Sequence, residues 1–229
     1  MKGGRSAPYS DSSTPSASGE NATANRLKAL LLEAGKPLLS SQQLDYFSAY
    51  LSLIIRWNAR MNLTSIRTED GILARHFVES IACARAIPDG VRTLLDYGSG
   101  AGFPGIPIAI CRPEITVTLA ESQGKKAAFL QEVVRSLQLS ASVHHGRADA
   151  VRAEFDCVTL RAVDKIDEAV ASAGCLVARD GVLALMTTEA AFPRLRQAAG
   201  MQFTWNETIR KPDGEDLILA LGKRGNFPA

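Results

Sequence analysis

The chain has no C-x-x-C pair. Its four cysteines, Cys83, Cys111, Cys157 and Cys175, lie far apart, and its three histidines do not join them at metal-ligand spacing. No metal is expected, and the thiols read as reduced and mostly buried in a cytoplasmic protein. No apolar run is long enough to span a bilayer, and the N-terminus lacks an apolar signal core, so no membrane partner is expected. Nor is charge of one sign in excess. The 26 Lys and Arg against 24 Asp and Glu leave a net charge of +2, which neither requires nor excludes nucleic acid. What is present is an ordinary globular composition, 46% hydrophobic and 22% charged over 229 residues, enough to bury a full core.

Three regions differ in texture. Residues 1–25 are rich in Ser, Thr, Ala and Pro and bury almost nothing, which predicts a disordered tail. Residues 26–92 carry helical spacing: Leu27, Leu30 and Leu31; then Leu44, Phe47, Leu51, Ile54 and Ile55; then Ile72, Leu73, Phe77, Ile81 and Ala84. They predict a helical layer without a core of its own. Residues 93–229 alternate short apolar strands (TLLDYG, TVTLAES, ASVHHGR, FDCVTLRA, GVLALMT) with helices, which implies a parallel sheet covered on both faces. FTWNETIRK and DLILALGK, joined by Pro212-Asp213-Gly214, predict a final hairpin and an antiparallel last strand. That α/β outline, mostly parallel and seven-stranded with a reversed last strand, is the Rossmann-like form used by S-adenosylmethionine-dependent methyltransferases.

The stretch DYGSGAGFPG (Asp96–Gly105) follows the first strand and fits two cofactors. Gly100 to Gly105 satisfies G-x-G-x-x-G, the dinucleotide rule; Asp96, Gly98, Gly100 and Gly102 satisfy D-x-G-x-G-x-G, the methyl-donor loop. Glu121 ends the second strand about twenty residues on, where an acid takes ribose hydroxyls in either case. Asp96 tips the choice. A carboxylate at the loop entrance would repel a pyrophosphate but attract the ammonium and sulfonium of S-adenosylmethionine. A nicotinamide oxidoreductase and a small-molecule methyltransferase remain the alternatives.

Further residues have two readings each. Asp149, in Gly146-Arg147-Ala148-Asp149, can accept from an adenine amino group or cap a following helix. Arg161, ending the fourth strand, either pairs with a structural acid or faces ligand and substrate; the second is adopted. Lys125 and Lys126 oppose the dipole of the helix they open, which suggests phosphate contact as readily as a solvated helix end. Arg56, Arg60 and Arg67 flank Trp57, Asn58 and Asn62, a set compatible with RNA backbone contact, although composition alone favours a core Trp57 and solvated arginines. His76, among Ile72, Phe77 and Ser80, reads as a hydrogen-bonded interface histidine.

RWNARMNLTSI, ARHFVESI, DYGSGAGFPGIPIAI, ESQGKKAAFL, GRAD and LRA, in this order, resemble the bacterial small-subunit ribosomal RNA guanine-N7 methyltransferases, also called the glucose-inhibited division protein B family. The resemblance runs from about residue 26 to the end. It implies a helical extension on a methyltransferase domain, S-adenosylmethionine as cofactor, and N7 of a guanine in the 530 loop of 16S rRNA, free or in the small subunit, as acceptor of a monomeric enzyme. Family cofactor contacts fall on Gly98, Phe103, Ala148, Asp149 and Arg161; its other characteristic polar positions fall on His76, Arg147 and Asn62. With no base needed, Arg161, His76 and Arg147 are expected to orient the guanine. One departure stands out: members commonly carry Lys-Gly after the fifth strand, where this chain has LALMTTEA.

Overall fold

The computed structural model describes residues 17–210 and 216–225. The chain opens with α1 (Ala17–Glu33) and α2 (Ser41–Asn58). Ser40 starts α2 through a capping box: its hydroxyl accepts from Gln43 N (3.2 Å), while Gln43 Oε1 accepts from Ser40 N (3.0 Å). The expected third helix is a composite of α3 (Glu69–Gly71), a π-helical turn (Ile72–Phe77) and α4 (Val78–Ala86). Helix α1 corrects the tail expected over residues 1–25, since it begins at Ala17; residues 1–16 lie outside the described residues. Leu27 and Leu31, both fully buried, anchor the helix, and extension upstream then adds hydrogen bonds without a new nucleation cost.

Seven strands follow: β1 (Thr93–Tyr97), β2 (Thr116–Glu121), β3 (Ala141–His145), β4 (Phe155–Arg161), β5 (Val177–Thr188), β6 (Phe203–Arg210) and β7 (Leu217–Arg224). Their order is β3-β2-β1-β4-β5-β7-β6, with β7 antiparallel to both neighbours and the other adjacent pairs parallel. The turn expected at Pro212-Asp213-Gly214 lies outside the described residues. Strand β5 starts earlier than the GVLALMT run suggests, because Val177 leaves the helical pattern and pairs with Phe155 before a shift of register.

Helices α5 (Gly105–Cys111) and α6 (Gly124–Ser136) join the N-terminal helices on one face, and α7 (Ile166–Leu176) and α8 (Phe192–Ala199) cover the other. Two-residue alternation sorts the core between them. Leu94, Cys157 and Ala184 belong to the first cluster, whereas Leu95, Val158, Leu183 and Leu185 belong to the second. Leu27, Phe47, Tyr50 and Ile54 share the first cluster with Val117 and Leu119 of β2, so helical layer and sheet form one packed body. The carboxyl ends of β1, β2, β3 and β4 therefore share one edge of the sheet, where open α/β folds bind ligands.

Among the described residues no helix is long and apolar enough to cross a membrane, and no cluster of His, Cys, Asp and Glu could hold a metal ion. The cysteines are free thiols; Cys83 and Cys157 are buried, Cys111 is half-buried and Cys175 is exposed.

Candidate active site

The loop after β1 turns through three left-handed glycines, Gly98 (φ 71°), Gly100 (φ 59°) and Gly102 (φ 94°). Their surroundings differ. An added Cβ at Gly100 would meet nothing closer than the Gly98 carbonyl at 4.0 Å, so this backbone faces open space. One at Gly102 would sit 2.7 Å from Ile106 and 2.8 Å from the Tyr50 hydroxyl. Gly102 is thus a packing glycine, not the cofactor contact expected of it. Tyr50, fully buried in α2, donates to the Ala101 carbonyl at 2.5 Å and props the loop from below.

Glu121 closes the loop from the next strand. Its Oε2 accepts from Gly100 N (2.9 Å) and its Oε1 from Gln123 N (2.7 Å), leaving lone pairs on both oxygens toward the cleft. Asp96 is different. It is fully buried and points away from the cleft, accepting from Gly105 N (3.2 Å) and from Thr159 Oγ1 (2.9 Å). Burial raises its pKa to about 6 against the pull of those hydrogen bonds. The attraction assigned to Asp96 for a cationic ligand is therefore overturned: its charge is spent clamping β1 to β4 and to the start of α5. Strand alternation alone could not show which face its side chain takes.

A cleft of about 600 Å³ opens over this edge. It is lined by the expected Gly98, Gly100, Phe103, Glu121, Lys126, Arg147, Ala148, Asp149, Arg161 and His76. Asp149 lies in a short 3-10 turn (Ala148–Ala150) and caps no helix; its carboxylate binds Arg147 through Nε (3.1 Å) and a terminal nitrogen (2.5 Å). That guanidinium holds the Asp149 carboxyl below its usual range.

His76 sits on the π-helical turn with its ring stacked on Phe103, centroids 4.5 Å apart and planes 24° apart. Its Nε2 is 2.8 Å from Thr64 Oγ1, while its buried Nδ1 has no protein partner. Burial, then the nearby Arg161 and Arg75, push its pKa down to about 3, so the ring is neutral at physiological pH.

For Arg161 the pairing with a structural acid prevails. It donates to Glu79 Oε2 (2.6 Å) and to the Arg75 carbonyl (2.9 Å), and both charged side chains are largely buried, 15% and 10% exposed. It borders the cleft while tying β4 to the π turn and α4.

The basic surface is mostly self-satisfied. Arg56 pairs with Glu132, whose other oxygen accepts from Trp57 Nε1 at 2.8 Å. Asn62 accepts from Arg67 (2.6 Å), and buried Asn58 accepts from Leu63 N and Thr64 N, shaping the loop before α3. Arg56, Arg60, Asn62 and Lys125 are exposed and lie outside the cleft lining, so only Lys126 of the expected RNA contacts reaches it. Tyr50, Thr64, Glu79 and Thr159 went unanticipated. The one hint was a Tyr on an otherwise apolar helical face.

Strand order, reversed β7, glycine loop and the acid ending β2 together define the S-adenosylmethionine-dependent methyltransferase fold. A predicted O-methyltransferase from Agrobacterium tumefaciens superposes with a TM-score of 0.54 at 20% identity, covering 64% of this chain and 81% of that one. TYW2 of M. jannaschii, solved in complex with AdoMet, gives 0.51 at 16% identity, covering 66% and 75%. The family model for rRNA small subunit methyltransferase G (GidB) matches residues 43–205, and the chain belongs to this family. Ribosomal RNA small subunit methyltransferase G of Roseiflexus sp. (strain RS-1) is 45% identical over 135 residues, 56% of this chain. That of Xanthomonas campestris pv. campestris (strain B100) is 41% identical over 183 residues, 78% of this chain. The chain spans 58% of the length of the first relative and 80% of the second.

Proposed function

We propose that the protein transfers the methyl group of S-adenosylmethionine to N7 of a guanine in the 530 loop of 16S rRNA, as a cytoplasmic monomer acting on free rRNA or the small subunit. The observation that carries this reading is the cleft itself: an open glycine backbone at Gly100, whose N–H donates to a Glu121 carboxylate with acceptor capacity left over. Family membership supplies the acceptor. The dinucleotide alternative is weakened by β7, since the Rossmann order 3-2-1-4-5-6 has no strand inserted antiparallel beside β5.

The residues present fit the cofactor. Glu121, an acceptor only, suits the two hydroxyls of a ribose. Asp149, kept ionised by Arg147, suits the amino group of adenine beside the buried Ala148. Phe103, backed by His76, walls the cleft. When bound, S-adenosylmethionine supplies an electrophilic methyl group on a sulfonium. Guanine N7 has a lone pair and no proton, so the N–C bond forms as the S–C pair returns to sulfur, and no base is required. Accordingly, His76 is neutral and hydrogen-bonded to Thr64, fitted to orient a base rather than to take a proton. The protein's part is alignment and exclusion of water, with the target base unstacked to reach the cleft.

The test is incubation with methyl-labelled S-adenosylmethionine and unmodified small subunits, with free 16S rRNA in parallel, followed by mapping of the label. Label at N7 of a 530-loop guanine is expected. Binding of the methyl donor with no label in either RNA would refute the acceptor and leave small-molecule substrates.

A further inference from the structure

Three side chains of the helical layer reach the methyl-donor cleft: Leu63 and Thr64 from the loop between α2 and α3, and His76 from the π turn. Asn58 holds that loop, its Oδ1 accepting from Leu63 N (3.0 Å) and Thr64 N (3.3 Å). Thr64 Oγ1 meets two groups at once: Ile66 N donates to it at 3.2 Å, and His76 Nε2 lies 2.8 Å away. We propose that His76 turns the Thr64 hydroxyl into a group that can only donate, aimed into the cleft to bind the carboxylate of S-adenosylmethionine. The proposal rests on the function proposed above; it makes Thr64 a cofactor-binding residue and His76 the residue that positions it.

The hydrogen-bond count at Thr64 comes first. A hydroxyl has one hydrogen to give and two lone pairs to receive, and a neutral imidazole has a single N–H. His76 is neutral, and its buried Nδ1 has no partner among the described residues. A proton on Nδ1 would therefore be an orphaned N–H. A proton on Nε2 finds Thr64 Oγ1 at 2.8 Å and leaves only a lone pair unmet at Nδ1. An orphaned buried N–H is the rarer of the two defects. With Ile66 N–H and His76 Nε2–H both donating, the lone pairs of Thr64 Oγ1 are used. Only its hydrogen remains, on a residue that lines the cleft.

Position and charge then name the ligand group. Asp149 follows β3, Glu121 ends β2 and the glycine loop follows β1, so adenine, ribose and amino acid fall in that order across β3-β2-β1. Thr64 and His76 stand at the last of these, with the His76 ring on Phe103. The amino acid offers a carboxylate and an ammonium, and the surroundings choose between them. Arg161 borders the cleft and, although paired with Glu79, still acts with Arg75 to lower the basicity of His76. A field of that sign attracts a carboxylate and repels an ammonium. An O–H with no lone pair left is likewise the complement of a carboxylate, whereas an ammonium can only donate.

The test uses the full chain and calorimetric titration with S-adenosylhomocysteine, which carries the carboxylate, and with methylthioadenosine, which lacks the amino-acid end. Thr64→Val keeps the shape of the side chain and removes the hydroxyl. It should weaken S-adenosylhomocysteine at least about tenfold and leave methylthioadenosine unchanged. Thr64→Ser should restore most of the loss. Equal weakening of both ligands would make Thr64 a mere prop of the loop, and unchanged affinity for both would remove it from the site; either result overturns the proposal. Two measurements on the wild type stand even if Thr64→Val fails to fold. Nitrogen NMR of the imidazole rings should show His76 protonated at Nε2, and decarboxylated S-adenosylhomocysteine should bind at least about tenfold more weakly than its parent. The opposite tautomer, or equal binding of those two ligands, overturns the proposal and leaves the methyltransferase reading standing. Failure of the wild type to bind S-adenosylhomocysteine would instead sink that underlying reading.

Discussion

Two buried groups pull stability in opposite directions as pH falls, and single substitutions should separate them. His76 titrates near 3 in the folded protein against an ordinary value of 6.5. The unfolded chain therefore takes up the proton first, and the stability conferred by a neutral buried ring drains away below about pH 6.5. Asp96 titrates near 6 against 3.8, so the folded carboxyl is protonated first and stability rises as pH falls from about 7 toward 4. Linkage between about pH 8 and about pH 5 gives a loss of about 2 kcal/mol from His76 and a gain of about 1 kcal/mol from Asp96. In the wild type these largely offset each other. Guanidinium unfolding midpoints at the two pH values should shift little from this pair, whatever background the other carboxylates and histidines impose. His76→Gln should gain stability at the lower pH relative to wild type by about 2 kcal/mol, and Asp96→Asn should lose about 1 kcal/mol by the same comparison. Parallel pH profiles for all three proteins would refute the burial and charge environments assigned to both residues.

The glycine loop offers a sharper contrast, because two left-handed glycines have different surroundings. Gly102→Ala drives a methyl into Ile106 and the Tyr50 hydroxyl and should unfold the protein or lower its melting temperature severely, whereas Gly100→Ala costs about 1–2 kcal/mol of backbone strain yet blocks the open face, so calorimetry should show a stable protein with lost methyl-donor binding. Tyr50→Phe strands the Ala101 carbonyl in the core; a stability loss of about 1–3 kcal/mol, with weaker S-adenosylhomocysteine binding, is expected from denaturation and titration. Arg161→Ala should unfold more readily by about 3–5 kcal/mol, since it leaves the Glu79 carboxylate without its guanidinium, and Arg161→Lys should restore part of that in thermal melts.

What was legible in the sequence was whatever repeats along the chain or bends it. Alternating apolar residues marked seven strands, and the cluster of glycines after β1 marked the ligand edge. Glu121 was legible too, because an acid ending the second strand reaches the loop of the first, as its 2.9 Å bond to Gly100 N shows. What escaped were pairings between distant segments. Glu79 and Arg161 are 82 positions apart, Asp96 and Thr159 are 63 apart, and nothing local announces which group will meet which. The surprises came from there: Asp96 turns to the core and bonds Thr159, and Arg161, while bordering the cleft, is also held by an acid. The start of α1 escaped for another reason, since a helix seeded by Leu27 and Leu31 can extend through residues that would not form one alone.

The distant pairings share one feature: most of them tie the helical layer to the edge of the sheet that carries the cleft. Tyr50 holds the glycine loop through Ala101. Phe77 and Tyr50 stack with parallel rings, both touch Phe103, and Phe103 in turn meets His76. Arg161 then bonds the carbonyl of Arg75 on the same π turn and the acid of α4. A π turn admits one more residue than an α-turn, so it rotates the residues on either side of it relative to each other. Here that places His76 against the loop while Arg75 and Glu79 meet the end of β4. Residues 69–86 therefore act less as an appended helix than as the bracket between the glycine loop and the end of β4. It follows that substitutions of His76 or Phe77, which meet Phe103 of the glycine loop, should disturb donor binding, whereas substitutions on α8, packed on the opposite face of the sheet, should chiefly lower stability.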